Sequence, residues 1–145
     1  MRVDRRLQDG DKVQLGTTEL TVHHHPGHTK GSTSFTFSTP DAGRTYRVLI
    51  VNLGGINRGV ELLNTPGNPQ IIEEYAQTFE KQKQFIGNFD IWVSSHSNQF
   101  GLHDKYQPGD TYDPNRFVDP EGYAQLLQQY EQLYLDQLER ERGSR

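Results

Sequence analysis

Cysteine is absent from the 145 residues, which excludes disulfides, thiol catalysis and cysteine-type zinc sites. It leaves the redox compartment open. Long apolar runs are missing too. The longest, Val48–Val51, falls far short of the ~20 residues that cross a bilayer, so no membrane-spanning segment is expected. Met1–Asp11 carries charge at its start but no apolar stretch behind it, so no secretory signal is read there. A basic face is also lacking. Lys and Arg number 15 against 19 Asp and Glu, a net charge of −4, and the cations are scattered, so nucleic acid is not an expected partner. Hydrophobic residues make up 32%, and the mean hydropathy is −0.85. That describes a polar surface over a modest core, and the length suits one domain over residues 1–145.

The first half of the chain reads as strands and turns. Lys12–Leu15 and Glu19–His24 form a hairpin around Gly16-Thr17. Thr33–Phe37 alternates polar and aromatic residues, as a half-buried strand does, and Pro40-Asp41-Ala42-Gly43 is a turn. Thr45–Val51 follows, with four consecutive aliphatics that predict burial on both faces. Asn52–Pro69 is a long connection rich in Gly, Asn and Pro, a length often given to functional loops. A helix is predicted next, with Asn68 as N-cap, Pro69 in its first turn, Ile72, Tyr75 and Phe79 on one face, and Gly87 at its end. Asp90–Ser95 is a strand and His96–Pro114 a loop. A last helix, capped by Asp119-Pro120, runs to about Glu141 with a stripe of Tyr123, Leu126, Leu127, Tyr130, Leu133, Tyr134 and Leu138. Gly143–Arg145 reads as a frayed end.

Several catalytic signatures are missing. There is no G-x-S-x-G elbow for the available serines (Ser32, Ser34, Ser94, Ser95, Ser97) and no phosphate-binding glycine loop. Asp90, Asp104 and Asp110 show no pairing that suggests glycosidase chemistry and read as loop and cap residues. The chemistry-bearing pool is six histidines: His23, His24, His25, His28, His96 and His103. His28 follows a Pro-Gly turn at a strand end, and His96 opens a loop after the strand around Trp92. Both can point from strand ends toward a shared ion, and neutral imidazole suits zinc. The spacing alone equally fits surface or hydrogen-bonded histidines. A catalytic zinc also needs at least three protein ligands, and no H-E-x-x-H occurs to supply the rest. His23–His25 cannot all serve one site, because alternate strand residues face opposite ways. His103 reads as a solvated loop residue.

The string His25-Pro26-Gly27-His28-Thr29-Lys30-Gly31-Ser32 resembles the third metal-binding motif of the metallo-β-lactamase superfamily. Together with Asp90–His96, Gln99-Phe100-Gly101-Leu102-His103 and Phe117–Tyr123, it resembles subclass B3 enzymes, GOB-type above all. The likeness runs along nearly the whole chain but covers only the C-terminal half of such an enzyme. The H-x-H-x-D-H motif of the N-terminal half does not occur. The resemblance implies one half of an αβ/βα sandwich, an α+β arrangement with a mixed, mainly antiparallel sheet and helices on one face. It implies β-lactam hydrolysis by water activated at a two-zinc centre, with His28 completing the first zinc site and His96 the second. By the same resemblance, Asn52, Gly54, Gly55 and Asn57 lie in the loop that meets the substrate, where relatives often carry serine. Two ligands are too few, so the isolated chain is expected to be inactive. Its expected partners are the missing N-terminal half or a second copy, packed on a sheet face carrying Phe35, Phe37, Leu49 or their neighbours. A non-catalytic self-associating module, or a superfamily hydrolase for a lactone or thioester, are the alternative readings. A periplasmic or secreted location follows from the family.

Overall fold

Turn chemistry sets the strand order. The computed structural model describes residues 2–63 and 66–144. Strand β1 (Lys12–Leu15) runs through Gly16-Thr17 into β2 (Thr18–His24). Between β3 (Thr33–Asp41) and β4 (Arg44–Val51), Ala42 and Gly43 both take positive φ, 46° and 84°. Such a two-residue turn matches the twist of the strands it joins. The turn is thus tighter than the four residues predicted, and Pro40 lies within β3, opposite Thr45. It is tolerated because β2 pairs with β3 only over Thr33–Thr36, so no neighbour there needs a proline N–H. The five strands lie in the order β1-β2-β3-β4-β5, antiparallel except that β5 (Ile91–Ser94) runs parallel to β4. A parallel neighbour demands a crossover, and helix α1 (Ile71–Lys83) supplies it. The one-turn helix α2 (Leu102–Lys105) and the long helix α3 (Pro120–Gly143) follow.

Helix α1 starts later than predicted. Gln70, not Asn68, holds the N-cap position, with no side-chain cap bond. The Asn68 side chain is drawn away: it donates to Glu74 and accepts from Lys30 Nζ. The cap of α3 is as predicted, with Asp119 accepting from the Gly122 N–H at 3.0 Å. Of its stripe, Tyr123, Leu127, Tyr134 and Leu138 are buried, while Leu133 is 63% exposed. His103 lies on α2 rather than in a loop, and is exposed.

The core lies between α1, α3 and one face of the sheet, where Leu49, Val51 and Trp92 meet Tyr75, Phe79, Tyr123 and Leu127. Trp92 Nε1 donates to the Asp119 carbonyl at 2.7 Å, fixing the start of α3 against β5. The other face is covered only in part. Val22, Tyr46 and Val48 are buried, Phe35, Phe37, Ile91 and Val93 half-buried, and Ile50 is 36% exposed. Two expectations are corrected here. The aliphatic run of β4 is not buried on both faces throughout, and Leu49 does not belong to the open face. Alternation turns Leu49 toward the helices, at 0% exposure, and leaves Ile50 on the side without them.

Candidate metal centre and substrate loop

Past β2 the chain turns through Pro26-Gly27-His28. Gly27 has φ 145°, which an L side chain rarely takes, and a Cβ there would meet the Tyr75 ring at 3.3 Å. The turn is therefore pressed onto α1, where the Thr78 hydroxyl donates to the Pro26 carbonyl at 2.5 Å. This delivers the His28 ring to the loop after β4. His28 Nδ1 lies 2.6 Å from the Gly55 carbonyl oxygen. A carbonyl only accepts, so in the neutral ring the proton sits on Nδ1 and Nε2 keeps its lone pair. The Tyr75 hydroxyl donates to the same carbonyl at 3.1 Å. Gly54 lies so close that a Cβ on it would overlap the His28 side chain.

The loop is held at both ends. At its start, the Asn52 N–H donates to Ser34 Oγ at 3.0 Å, and its carbonyl accepts from Gln82 Nε2 at 2.9 Å. Gln82 is 1% exposed, so this bond is made away from water. Across the loop, Gln99 Nε2 donates to the Leu53 carbonyl at 3.2 Å and the Tyr130 hydroxyl at 2.8 Å, while its Oε1 accepts from Ser94. One amide thus ties β5, the loop and α3 together, beside His96.

His28, Asn52, Gly55, Asn57 and His96 line one cavity of about 350 Å³, with Gln99 and Tyr130 on its wall. Gly54 faces a neighbouring groove instead. The two histidines, far apart in sequence, are thus the imidazoles of a single cleft. No carboxylate lines it. Among the described residues, no group of three or more His, Asp or Glu is placed to hold a metal ion. The donor set therefore fits zinc as a partial one: two imidazoles, one oriented by a carbonyl as ligating histidines usually are, and among the described residues no third ligand.

The other histidines are otherwise engaged. A His23 ring nitrogen pairs with Thr36 Oγ1 at 2.8 Å and its ring meets Phe85 edge-on; burial lowers its pKa. His24 Nε2 donates to the Lys30 carbonyl. His25 is 2% exposed, and its Nε2 pairs with Ser34 Oγ at 2.7 Å. Burial pushes its pKa down to about 4, and its Nδ1 has no hydrogen-bond partner among the described residues. Here a serine and a histidine do touch, but both are sealed in the interior and no carboxylate orients the ring. That is not a nucleophilic triad. Asp90 is occupied by Arg47, whose guanidinium and N–H hold its pKa down. Asp110 accepts from the Gln107 N–H and from Arg116.

The sequence reading missed Gln82, Gln99 and Tyr130. Tyr130 looked like one more residue of a helical stripe. Gln99 stood in the Gln-Phe-x-Leu-His segment already picked out, and that was its only signal.

No family model matches the chain. Two solved structures are close. The metallo-β-lactamase GOB-18 from Elizabethkingia meningoseptica is 44% identical, with TM-score 0.88 over 94% of this chain and 50% of that one. The class B3 di-zinc metallo-β-lactamase LRA-12, from an Alaskan soil metagenome, is 43% identical, with TM-score 0.88 over 95% of this chain and 52% of that one. Among curated proteins, a chicken (Gallus gallus) acyl-coenzyme A thioesterase, MBLAC2, is 53% identical over 32 residues, 22% of this chain and 12% of its own. The chain spans about half the length of these solved structures.

Proposed function

We propose, from the premise that this chain belongs with the class B3 metallo-β-lactamases and spans about half their length, that it is the C-terminal half of a zinc-dependent β-lactam hydrolase. The observation that carries this reading is the shared cleft of His28 and His96, with Gly55 fixing the His28 tautomer so that Nε2 is left to ligate. His28 and His96 would each hold zinc, and the remaining ligands would come from a second polypeptide segment. The chemistry such an ion supplies is Lewis-acid activation of water for attack on an amide carbonyl. Asn52, Gly55 and Asn57 line the cleft beside the histidines and would meet the substrate, with amide and backbone groups in place of the serine hydroxyls often found there. Gly54 acts by its smallness, since any larger residue would displace His28. By family resemblance its working place is the periplasm or the exterior of the cell.

The test is complementation. Alone, with zinc added, the 145 residues are expected to leave nitrocefin intact. Co-expressed with the N-terminal half of GOB-18, they are expected to co-purify with it and give zinc-dependent turnover that His28→Ala or His96→Ala abolishes. Turnover by the isolated chain, or a co-purifying pair whose turnover survives both substitutions, would overturn the assignment.

One observation favours a second reading, self-association. The sheet face carrying Ile50, Phe35 and Phe37 is covered only in part by the described residues, and an apolar groove of about 440 Å³ continues it past Ile91 and Val93 to Tyr106 and Tyr112. A second copy can cover that face as an N-terminal half would. The thioesterase likeness covers too little of the chain to favour a third.

A further inference from the structure

The histidine cleft has a wall on its α3 side whose hydrogen-bonding direction follows atom by atom. Tyr130 is half-buried and reaches the cleft from α3. Its ring lies along the loop after β4, where a Cβ on Gly55 would come within 3.0 Å of Tyr130 Cε1. Its hydroxyl lies 2.8 Å from Gln99 Nε2. Gln99 lines the same cleft, so the hydroxyl end of the ring is on the cleft side.

The direction of that bond comes from a proton count. Gln99 lies 3.2 Å from the Leu53 carbonyl oxygen, and a carbonyl only accepts, so the amide nitrogen must face it. The other N–H of the same nitrogen is directed at Tyr130, whose hydroxyl oxygen accepts it. The amide oxygen is turned away, to accept from Ser94. Tyr130 therefore keeps its own O–H proton to give, and none of the described residues takes it. The side chains of Asn57, Ser95 and Asn98 also line the cleft, but they are exposed and free to turn. The phenol is held by Gly55 on its edge and by Gln99 at its tip. Among the described residues, neither a cation nor a carboxylate lines the cleft. A fixed O–H donor makes its short, strong bonds to an ionised oxygen, and the cleft holds none of its own to compete.

We infer that Tyr130 is a specificity-determining residue of this cleft, its hydroxyl donating to a carboxylate of the ligand bound beside His28 and His96. The inference rests on the reading of the cleft as a substrate site, and it adds what that substrate must carry. A neutral analogue leaves the phenol proton without an ionised acceptor and is discriminated against on that account.

The experiment titrates cephalothin, ionised at neutral pH, and its methyl ester into the metal-free, ¹⁵N-labelled 145-residue chain and into its Tyr130→Phe variant. Saturable shifts are expected at Gly55, Ile56 and the Gln99 side-chain amide. Tyr130→Phe removes one oxygen and keeps the ring against Gly55, and circular-dichroism spectra verify the fold. It is expected to weaken cephalothin binding about tenfold or more, the worth of one hydrogen bond to a charged group. The ester, already the weaker ligand, should change little. A role in shape alone would weaken both ligands alike. Absence of saturable binding, shifts centred on Phe35, Ile50 or Tyr112, equal weakening of acid and ester, or indifference to Tyr130→Phe would each overturn the inference. In the pair formed with the N-terminal half of GOB-18, the same substitution should raise KM for cephalothin and leave kcat nearly unchanged. Turnover with an unaltered KM would keep the hydrolase reading and remove Tyr130. Carboxylate-selective binding that Tyr130→Phe abolishes, in a chain that no N-terminal half makes active, would keep Tyr130 and remove the hydrolase.

Discussion

Leu49 and Ile50 are neighbours in β4 and nearly equal in volume, yet they occupy different surroundings. Leu49 is fully covered, with α1 and α3 closing over the cluster it joins. Ile50 stands on the opposite face, opposite Phe35 and Val93 in the adjoining strands, and is 36% exposed. The helix-covered face is closed from within the chain by an aromatic core, buried glutamine bonds and a capped helix. The other face holds apolar residues of the same kind under only partial cover, with Ile50 36% exposed. One sheet face is therefore closed by the chain's own helices, and the other stays partly open. The histidine cleft shows the same division: the His28 tautomer, the loop and its clamping amides are all fixed, while among the described residues no third His, Asp or Glu joins the two histidines.

The largest expected effect sharpens this contrast directly. Leu49→Ala removes a fully enclosed side chain and should cost about 3 kcal/mol, whereas Ile50→Ala should cost roughly 1 kcal/mol or less, because most of what it loses was never fully buried. Urea melts of the two variants measure the difference. Equal losses would mean that the open face is already covered in solution.

A second effect comes from His25, sealed on the completed side with its pKa at about 4. Burial is the main cause, and the neighbouring cation Lys81 adds to it. A histidine depressed in the folded state favours folding in its neutral form. That contribution is fully present above the unfolded value of about 6.5, and is lost as pH falls from there toward 4, by about 3 kcal/mol in all. His23, lowered for the same reason, acts in the same direction. Asp9 and Glu74 are lowered carboxylates whose contributions fail only at more acid pH. Melts between pH 4 and 7 should therefore slope upward with pH, and His25→Leu should flatten that slope. An unchanged slope would mean that the ring is solvated.

How much of this could be read beforehand depended on whether a feature was local. The α3 cap was legible because Asp119-Pro120 acts on its own next turn. The strands around Phe35 and Trp92 were legible because alternation is a local pattern. Asn68 was misread as a cap because its side chain is claimed by Glu74 and Lys30, the second of these 38 residues away. Leu49 was assigned to the wrong face because four consecutive aliphatics carry no alternation, and only the pairing partners Thr36 and Trp92 fix which way each points. At the site, His28 and His96 stood out as residue types. The bonds that give the cleft its form, from Gln82 to Asn52 and from Gln99 to Leu53 and Tyr130, join segments far apart in the chain and leave no trace in either segment alone.

A smaller effect compares the two helices of the covered face. Asp119 caps α3 and also pairs with Lys105 Nζ at 2.7 Å, while α1 has no side-chain cap. Asp119→Ala should cost about 1 kcal/mol, and Asp119→Asn, which keeps a capping oxygen, a few tenths. Equal losses in thermal melts would assign the stabilisation to the Lys105 pair instead of the cap.

The last variant is the most informative about the uncovered face. Ile50→Asp places a charge where a second apolar surface would dock. In the lone chain that side chain is partly in water, so the charge can reach solvent and the fold should survive it, at a cost no smaller than that of Ile50→Ala. In an assembly the same carboxylate would be buried without a partner, which is strongly unfavourable. The wild-type chain is therefore expected to associate at micromolar concentration and Ile50→Asp to sediment as a folded monomer. A wild type that is already monomeric would remove the second copy as the covering layer. If Ile50→Asp also still co-purified with an N-terminal half, the sheet face itself would cease to be a docking surface, and the contrast between Leu49 and Ile50 would be a matter of packing alone.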